Sequence, residues 1–176
     1  MPSYEYRGIG PEDLGALISW IKSMPSVDTE PRDQEVGPLG RVLFFAGLLP
    51  LVPAEMIDYS DMSFRQPEAG STVEYGAYLA TTCLGCHGEG FSGGPIPGVP
   101  PDWPEAGNLT PDADTEIGAW SEQEFRSFFE NGTKPDGTVV DASYMPWPIG
   151  QQFTDEEMDA LWLFLRSLPA TTQGNR

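Results

Sequence analysis

The segment Cys83-Leu84-Gly85-Cys86-His87 gathers both cysteines and the only histidine of a 176-residue chain. Two cysteines are too few for the disulfide framework of a small secreted domain. Their spacing is close to one helical turn with an imidazole directly after it, so the local fold must turn three reactive groups toward one object. The rest of the chain is acidic, with 27 Asp and Glu against nine Lys and Arg and a net charge of -18. That balance excludes nucleic acid and an anionic membrane surface as partners. A hydrophobic fraction of 39% suffices for one core, while 20 Gly and 18 Pro confine regular structure to short helices between loops.

Cys-x-x-Cys-His is the attachment sequence of c-type haem. The two thiols add to haem vinyl groups as thioethers, and the imidazole becomes the proximal ligand of the iron. The competing readings are a thioredoxin-like redox pair and half a zinc site. A redox pair wants a strand before the first cysteine, whereas a helical pattern over residues 73–82 leads into this one. A zinc site needs more cysteines or histidines than the chain owns. The motif therefore predicts one covalent haem c at Cys83, Cys86 and His87.

Elsewhere the periodicity is helical. Leu14, Leu17, Ile18 and Ile21 form an apolar stripe over residues 11–24, opened by Pro11, Glu12 and Asp13 and closed by Pro25. Ser121-Glu122-Gln123-Glu124 is a capping box for a helix carrying Phe125, Phe128 and Phe129, ended by Asn131-Gly132. Thr154-Asp155-Glu156-Glu157 opens a last helix with Met158, Leu161, Trp162 and Leu165 as its stripe. Residues 88–111 alternate glycine and proline and predict no regular element. The longest apolar stretch, residues 39–54, is interrupted by Arg41, Pro50 and Pro53 and is too short to span a bilayer; it predicts one or two short helices. Met1-Pro2-Ser3-Tyr4-Glu5 has neither the basic start nor the apolar run of a signal peptide. Either a signal has been removed or the chain begins partway through a longer precursor.

The two ends repeat each other. At an offset of 144 residues, Met1 to Val27 aligns with Met145 to Thr171 without a gap. Met-Pro heads both copies, and Glu12/Glu156, Ala16/Ala160, Leu17/Leu161, Ser23/Ser167 and Pro25/Pro169 coincide.

An electron-transfer haem needs a second axial ligand, and with no other histidine a methionine thioether is the natural donor. Of the six methionines, Met158 lies in an apolar helix stripe and Met24 ends a helix. Met56 and Met62 lie upstream of the cysteines. Met145 stands in Tyr144-Met145-Pro146-Trp147-Pro148, a proline-stiffened loop flanked by aromatics, and is the preferred ligand.

The order of these parts, a helix, Cys83-x-x-Cys86-His87, a Gly/Pro loop, Asn108-Leu109-Thr110-Pro111-Asp112, Gly118-Ala119-Trp120-Ser121-Glu122, Pro135-Asp136-Gly137, Met145-Pro146-Trp147 and a final amphipathic helix, resembles a class I cytochrome c. More narrowly it is similar to the second domain of tandem dihaem c-type cytochromes. The resemblance covers residues 70–170 and implies an all-α fold around one haem, its first and last helices crossing. It divides the chain into a helical remnant of a preceding domain at 1–27, a linker with short apolar helices at 28–69 and a haem domain at 70–176. Met1 would then occupy the place of an axial methionine for a second haem outside this chain, although no upstream Cys-x-x-Cys-His is present. The segment is the remainder of a longer dihaem protein, a helix retained for packing, or a piece completing another polypeptide's haem pocket.

A carbonyl or side chain must accept the second imidazole N–H of His87. Pro95, Pro97 and Pro100 lie where class I cytochromes often supply it. Trp120, Phe125, Phe129, Tyr144 and Trp147 are further pocket candidates, although an ordinary core role is the favoured reading of each taken singly. The stripe of residues 1–27 is expected to pack, either on a neighbouring molecule or, the preferred alternative, on residues 39–57 of the same chain with Leu43, Phe44 and Phe45 as contacts.

The functional expectation is an electron carrier rather than an enzyme, either free or a module of a respiratory, photosynthetic or dehydrogenase chain. Its redox partners would present a basic docking surface, and its compartment would be the periplasm or an equivalent. One alternative is a structural haem subunit associating with another cytochrome domain through residues 1–69. The other is a haem enzyme such as a peroxidase, which lacks here the distal histidine it would want.

Overall fold

Pro11, Glu12 and Asp13 begin helix α1 (Pro11–Ser23), since proline's fixed φ suits a first turn and the acids complement the helix dipole. The computed structural model describes residues 3–30, 35–49, 51–58, 60 and 66–175, and the chain divides into two units, Met1–Gln66 and Pro67–Arg176. Met1 and Met62 lie outside the described residues. In the first unit a 3-10 turn, Ser3–Tyr6, precedes α1, and helix α2 (Pro38–Phe45) precedes a second turn, Pro53–Met56.

The expected burial of the α1 stripe is not found. Leu14, Leu17, Ile18 and Ile21 are 44%, 50%, 44% and 49% exposed, and neither α1 nor α2 holds a buried residue. Phe44 and Phe45, expected to cover the stripe, are themselves exposed. Helix α2 is only eight residues long and turns apolar side chains outward, so it offers no closed face for a 13-residue helix to bury against.

The second unit is built on four capped or terminated segments. Thr72 accepts the N–H of Tyr75 at 3.2 Å and opens helix α3 (Val73–Ala80). A 3-10 turn, Thr81–Cys83, and helix α4 (Leu84–His87) continue through the cysteine motif and stop at Gly88, whose φ of 79° glycine accommodates. The following loop forms only the isolated bridge between Gly94 and Ala106 before helix α5 (Glu116–Ala119). Both expected capping boxes are present. Ser121 with Glu124 opens helix α6 (Glu122–Asn131), and Thr154 with Glu157 opens helix α7 (Asp155–Ser167). Among the described residues there is no strand.

The first and last helices of this unit cross, as expected. At Gly76 the backbone of α3 meets the backbone of α7 at Ala160, which is fully buried. Tyr75 Oη donates to Glu157 at 3.3 Å and Ser71 Oγ to Asp159 at 3.1 Å, fixing the register of the crossing. The core beneath it contains Ala80, Phe91, Ile117, Phe125, Met158, Leu161 and Leu165.

The repeat is structural as well as sequential. The offset of 144 carries Pro11–Ser23 onto Asp155–Ser167, so α1 and α7 share both ends. Each follows a 3-10 turn, and each is closed by an extended residue, Met24 or Leu168, whose N–H reaches back to the carbonyl of Ile21 or Leu165. The burial differs. Met158, Leu161 and Leu165 are 5%, 3% and 3% exposed, whereas their counterparts Leu14, Leu17 and Ile21 are about half exposed.

Candidate functional site

Cys83, Cys86 and His87 sit on consecutive turns because α3, the 3-10 turn and α4 run on without a break. Neither cysteine is in a disulfide. Burial pushes the Cys83 thiol up, with the Thr82 hydroxyl opposing and Cys86 adding to the rise. A redox-active pair requires a depressed thiol, so the direction disfavours the thioredoxin-like reading. Among the described residues no group of three or more His, Cys, Asp or Glu side chains comes together in a metal-binding cluster.

His87 is buried, and its Nδ1 lies 2.7 Å from the carbonyl oxygen of Gly107. A carbonyl only accepts, so Nδ1 carries the proton and Nε2 carries the ring's in-plane lone pair. This acceptor is outside the three prolines considered from the sequence. It reaches His87 because Gly94 and Ala106 exchange N–H···O bonds of 2.9 and 3.0 Å, which return the loop to the helix that it left. Gly93 is required at the contact, since a side chain there would strike the carbonyls of Ala106 and Gly107. The carbonyl of His87 in turn accepts from Gly93 N–H at 2.9 Å. Two thiols and an oriented imidazole are the donor set that covalent haem c uses, and the residues present fit that group.

Met145 is half-buried in the loop between α6 and α7. The main-chain carbonyl of Asp141 accepts from Tyr144 and Met145 N–H at 3.1 and 3.2 Å, and its carboxylate accepts from Ser143 N–H at 2.8 Å. Those bonds from Ser143 hold the Asp141 carboxyl below the usual carboxylate range. On the other side, Trp147 Nε1 donates to the Val140 carbonyl at 2.9 Å and its ring lies against Gly132. The loop is therefore anchored on both sides of Met145. Met158 is core, whereas Met24 and Met56 are exposed in the first unit.

The aromatic candidates separate into two sets. Phe125 is buried against Phe129 and Trp162, and Trp120 packs on Phe128, so these belong to the core under the helices. Tyr144 instead forms an edge-on pair with Trp103, ring centroids 5.2 Å apart, beside Met145. Pro95 lies on the exposed side of the bridge after Gly94. Met1, the candidate ligand to a second haem, falls outside the described residues.

Sequence reasoning missed Gly107, Trp103, Thr171 and Gln173, and singled out Asn108 and Thr110 only as part of the resemblance, without their contacts. Asn108 Oδ1 accepts from Thr110 N–H at 2.8 Å, a turn that the Asn-x-Thr spelling signals.

The cytochrome c family model matches residues 73–169, more than half of the chain. The gluconate 2-dehydrogenase cytochrome c subunit of Pantoea cypripedii is 32% identical over 111 residues, covering 59% of this chain and 25% of its own length. The cytochrome c subunits of alcohol dehydrogenase (quinone) from Gluconacetobacter polyoxogenes and Komagataeibacter europaeus are each 32% identical over 107 residues, covering 57% of this chain and 23% of theirs. The chain thus spans about a quarter of the length of these relatives.

Proposed function

The chain belongs to the cytochrome c family and has its all-helical class I fold, and from that premise we propose that it transfers electrons through one haem c held by Cys83 and Cys86, with His87 and Met145 as axial ligands. The observation that carries this reading is the 2.7 Å contact between His87 Nδ1 and Gly107 O, which orients the imidazole and makes Nε2 the coordinating atom. Bound haem supplies the one-electron couple between ferrous and ferric iron.

The residues of the chain set the conditions of that couple. The Gly107 carbonyl draws on the Nδ1 proton and makes His87 a more basic ligand. A thioether from Met145 favours the ferrous state relative to a second imidazole and keeps the potential high. Phe125, Phe129, Trp120 and Trp162 pack the interior beneath α6 and α7 and exclude water from that side.

The role is that of an electron-transfer module of a dehydrogenase assembly, in an extracytoplasmic compartment where haem c is attached. Support comes from the names of the relatives, all cytochrome c subunits of dehydrogenases. Residues 1–27 represent the end of a preceding cytochrome c domain, with α1 as the counterpart of α7 and its exposed stripe as the face that such a domain covers. Identical helix ends at an offset of 144 residues and the Met-Pro lead of both copies support this. The acidic surface suits a redox partner with a basic face, whose association would weaken with added salt.

The test is intact mass together with an optical spectrum of the protein matured in the periplasm. One haem mass resistant to acid-acetone extraction, with a His/Met spectrum, is expected. Haem that extracts, or a spectrum without histidine and methionine ligation, overturns the proposal.

A further inference from the structure

The segment after the last helix contacts both pieces of backbone that touch His87. Thr171 accepts from Asn108 Nδ2 at 2.6 Å and from Thr110 Oγ1 at 3.1 Å through its carbonyl, and its own N–H donates to Thr110 Oγ1 at 3.2 Å. Gln173 Nε2 donates to the Ala106 carbonyl at 2.8 Å, and Gly174 N–H donates to the Ser92 carbonyl at 2.9 Å. Gly107, whose carbonyl holds the imidazole, is thus gripped from Ala106 on one side and Asn108 on the other. Ser92 precedes Gly93, whose N–H holds the main-chain carbonyl of His87.

We propose that Thr171, Gln173 and Gly174 are a positioning clamp that sets the strength of the His87–Gly107 hydrogen bond and through it the reduction potential of the haem. This rests on the proposed ligation by His87. Glycine at 107 brings no side chain to hold its own peptide, so the orientation of that carbonyl is fixed by its neighbours. Asn108 and Thr110 are buried, Thr110 completely, so water does not readily replace the partners that the tail provides. The interaction crosses 63 residues of chain, which makes the tail an independent part and not a continuation of the loop. With the clamp removed, the carbonyl is freer to turn away from Nδ1, His87 becomes a poorer donor of electron density, and ferric iron loses stabilisation. The potential then rises.

The experiment uses the matured holoprotein in three forms besides the parent: a chain ending at Ala170, Gln173→Met, which keeps length but loses the donor, and Thr172→Ala as a control on an exposed neighbouring side chain. Redox titration and NMR exchange of the His87 Nδ1 proton are read for each. The shortened chain is expected to show a raised potential and exchange faster by about tenfold, Gln173→Met a smaller change in the same direction, and Thr172→Ala neither. If the shortened chain loses stability while potential and Nδ1 exchange stay at the parental values, the clamp is merely structural and the proposal falls. If the shortened chain fails to mature, Gln173→Met decides alone, and parental values for it overturn the proposal. Failure of the underlying ligation is seen separately, as a parent spectrum without histidine on the iron.

Discussion

Gly76 and Ala160 meet backbone to backbone where α3 crosses α7, and a β-carbon at Gly76 would fall onto the Ala160 carbonyl and against the Phe164 side chain. The obstacle is main chain, which cannot rotate aside. Gly76→Ala should therefore force the helices apart, at a cost of about 3 kcal/mol, the upper end for overpacking. Denaturant unfolding of the holoprotein measures this. A loss below about 1 kcal/mol would mean that the crossing is looser than the geometry requires.

Met145→Ala is expected to leave haem attachment intact, because attachment depends on Cys83 and Cys86. The reduction potential should fall and carbon monoxide should bind the reduced form readily, as the sixth position loses its thioether. Optical titration checks both. Parental behaviour in Met145→Ala, with the change appearing in Met62→Ala or Met56→Ala instead, would transfer the ligand role.

Glu124 shows how pH enters the fold. Its carboxylate accepts from Ser121 N–H and Oγ, each at 2.7 Å, and the backbone bond, followed by the side-chain bond, holds it below its ordinary value of 4.5. A carboxyl depressed in the folded state contributes stability that is present above its unfolded value and lost as pH falls through the folded one. Glu124→Gln should accordingly cost stability at neutral pH and converge on the parent as the pH falls through that window. Ser121→Ala removes the cap itself and should cost about 1 kcal/mol. Unfolding curves at several pH values test both, and a constant difference for Glu124→Gln would argue against the capping role.

Local signals in the sequence are the ones the structure returns. Pro11, the Ser121 and Thr154 boxes and Gly132 each act within one turn, and the helices begin or end at them. The cysteine motif lies on a helical turn because α3 runs into it. What sequence reasoning lacked joins residues far apart through irregular chain. Gly107 reaches His87 across a loop with no periodicity to read, and Thr171 finds Asn108 only after α7 has crossed α3. The stripe of α1 was legible as a stripe, but amphipathicity names a buried face without naming what buries it. Packing onto residues 39–57 was the nearest partner by chain length, and the first unit does not supply it.

That last difference separates two leucines that the repeat makes equivalent. Leu161 on α7 is 3% exposed in the core, while Leu17, 144 residues earlier at the same helix position, is 50% exposed. Leu161→Ala leaves a cavity among packed side chains and should destabilise the haem unit by about 2 to 5 kcal/mol. Leu17→Ala removes a side chain that is half in water and lies in the other unit, and should change the same transition by less than about 0.5 kcal/mol. Haem absorbance during denaturant unfolding reports on the second unit in both variants, so the comparison is internal. A large loss for Leu17→Ala in the isolated chain would show that α1 is already buried in solution, and the reading of its stripe as a face for a preceding cytochrome domain would fail.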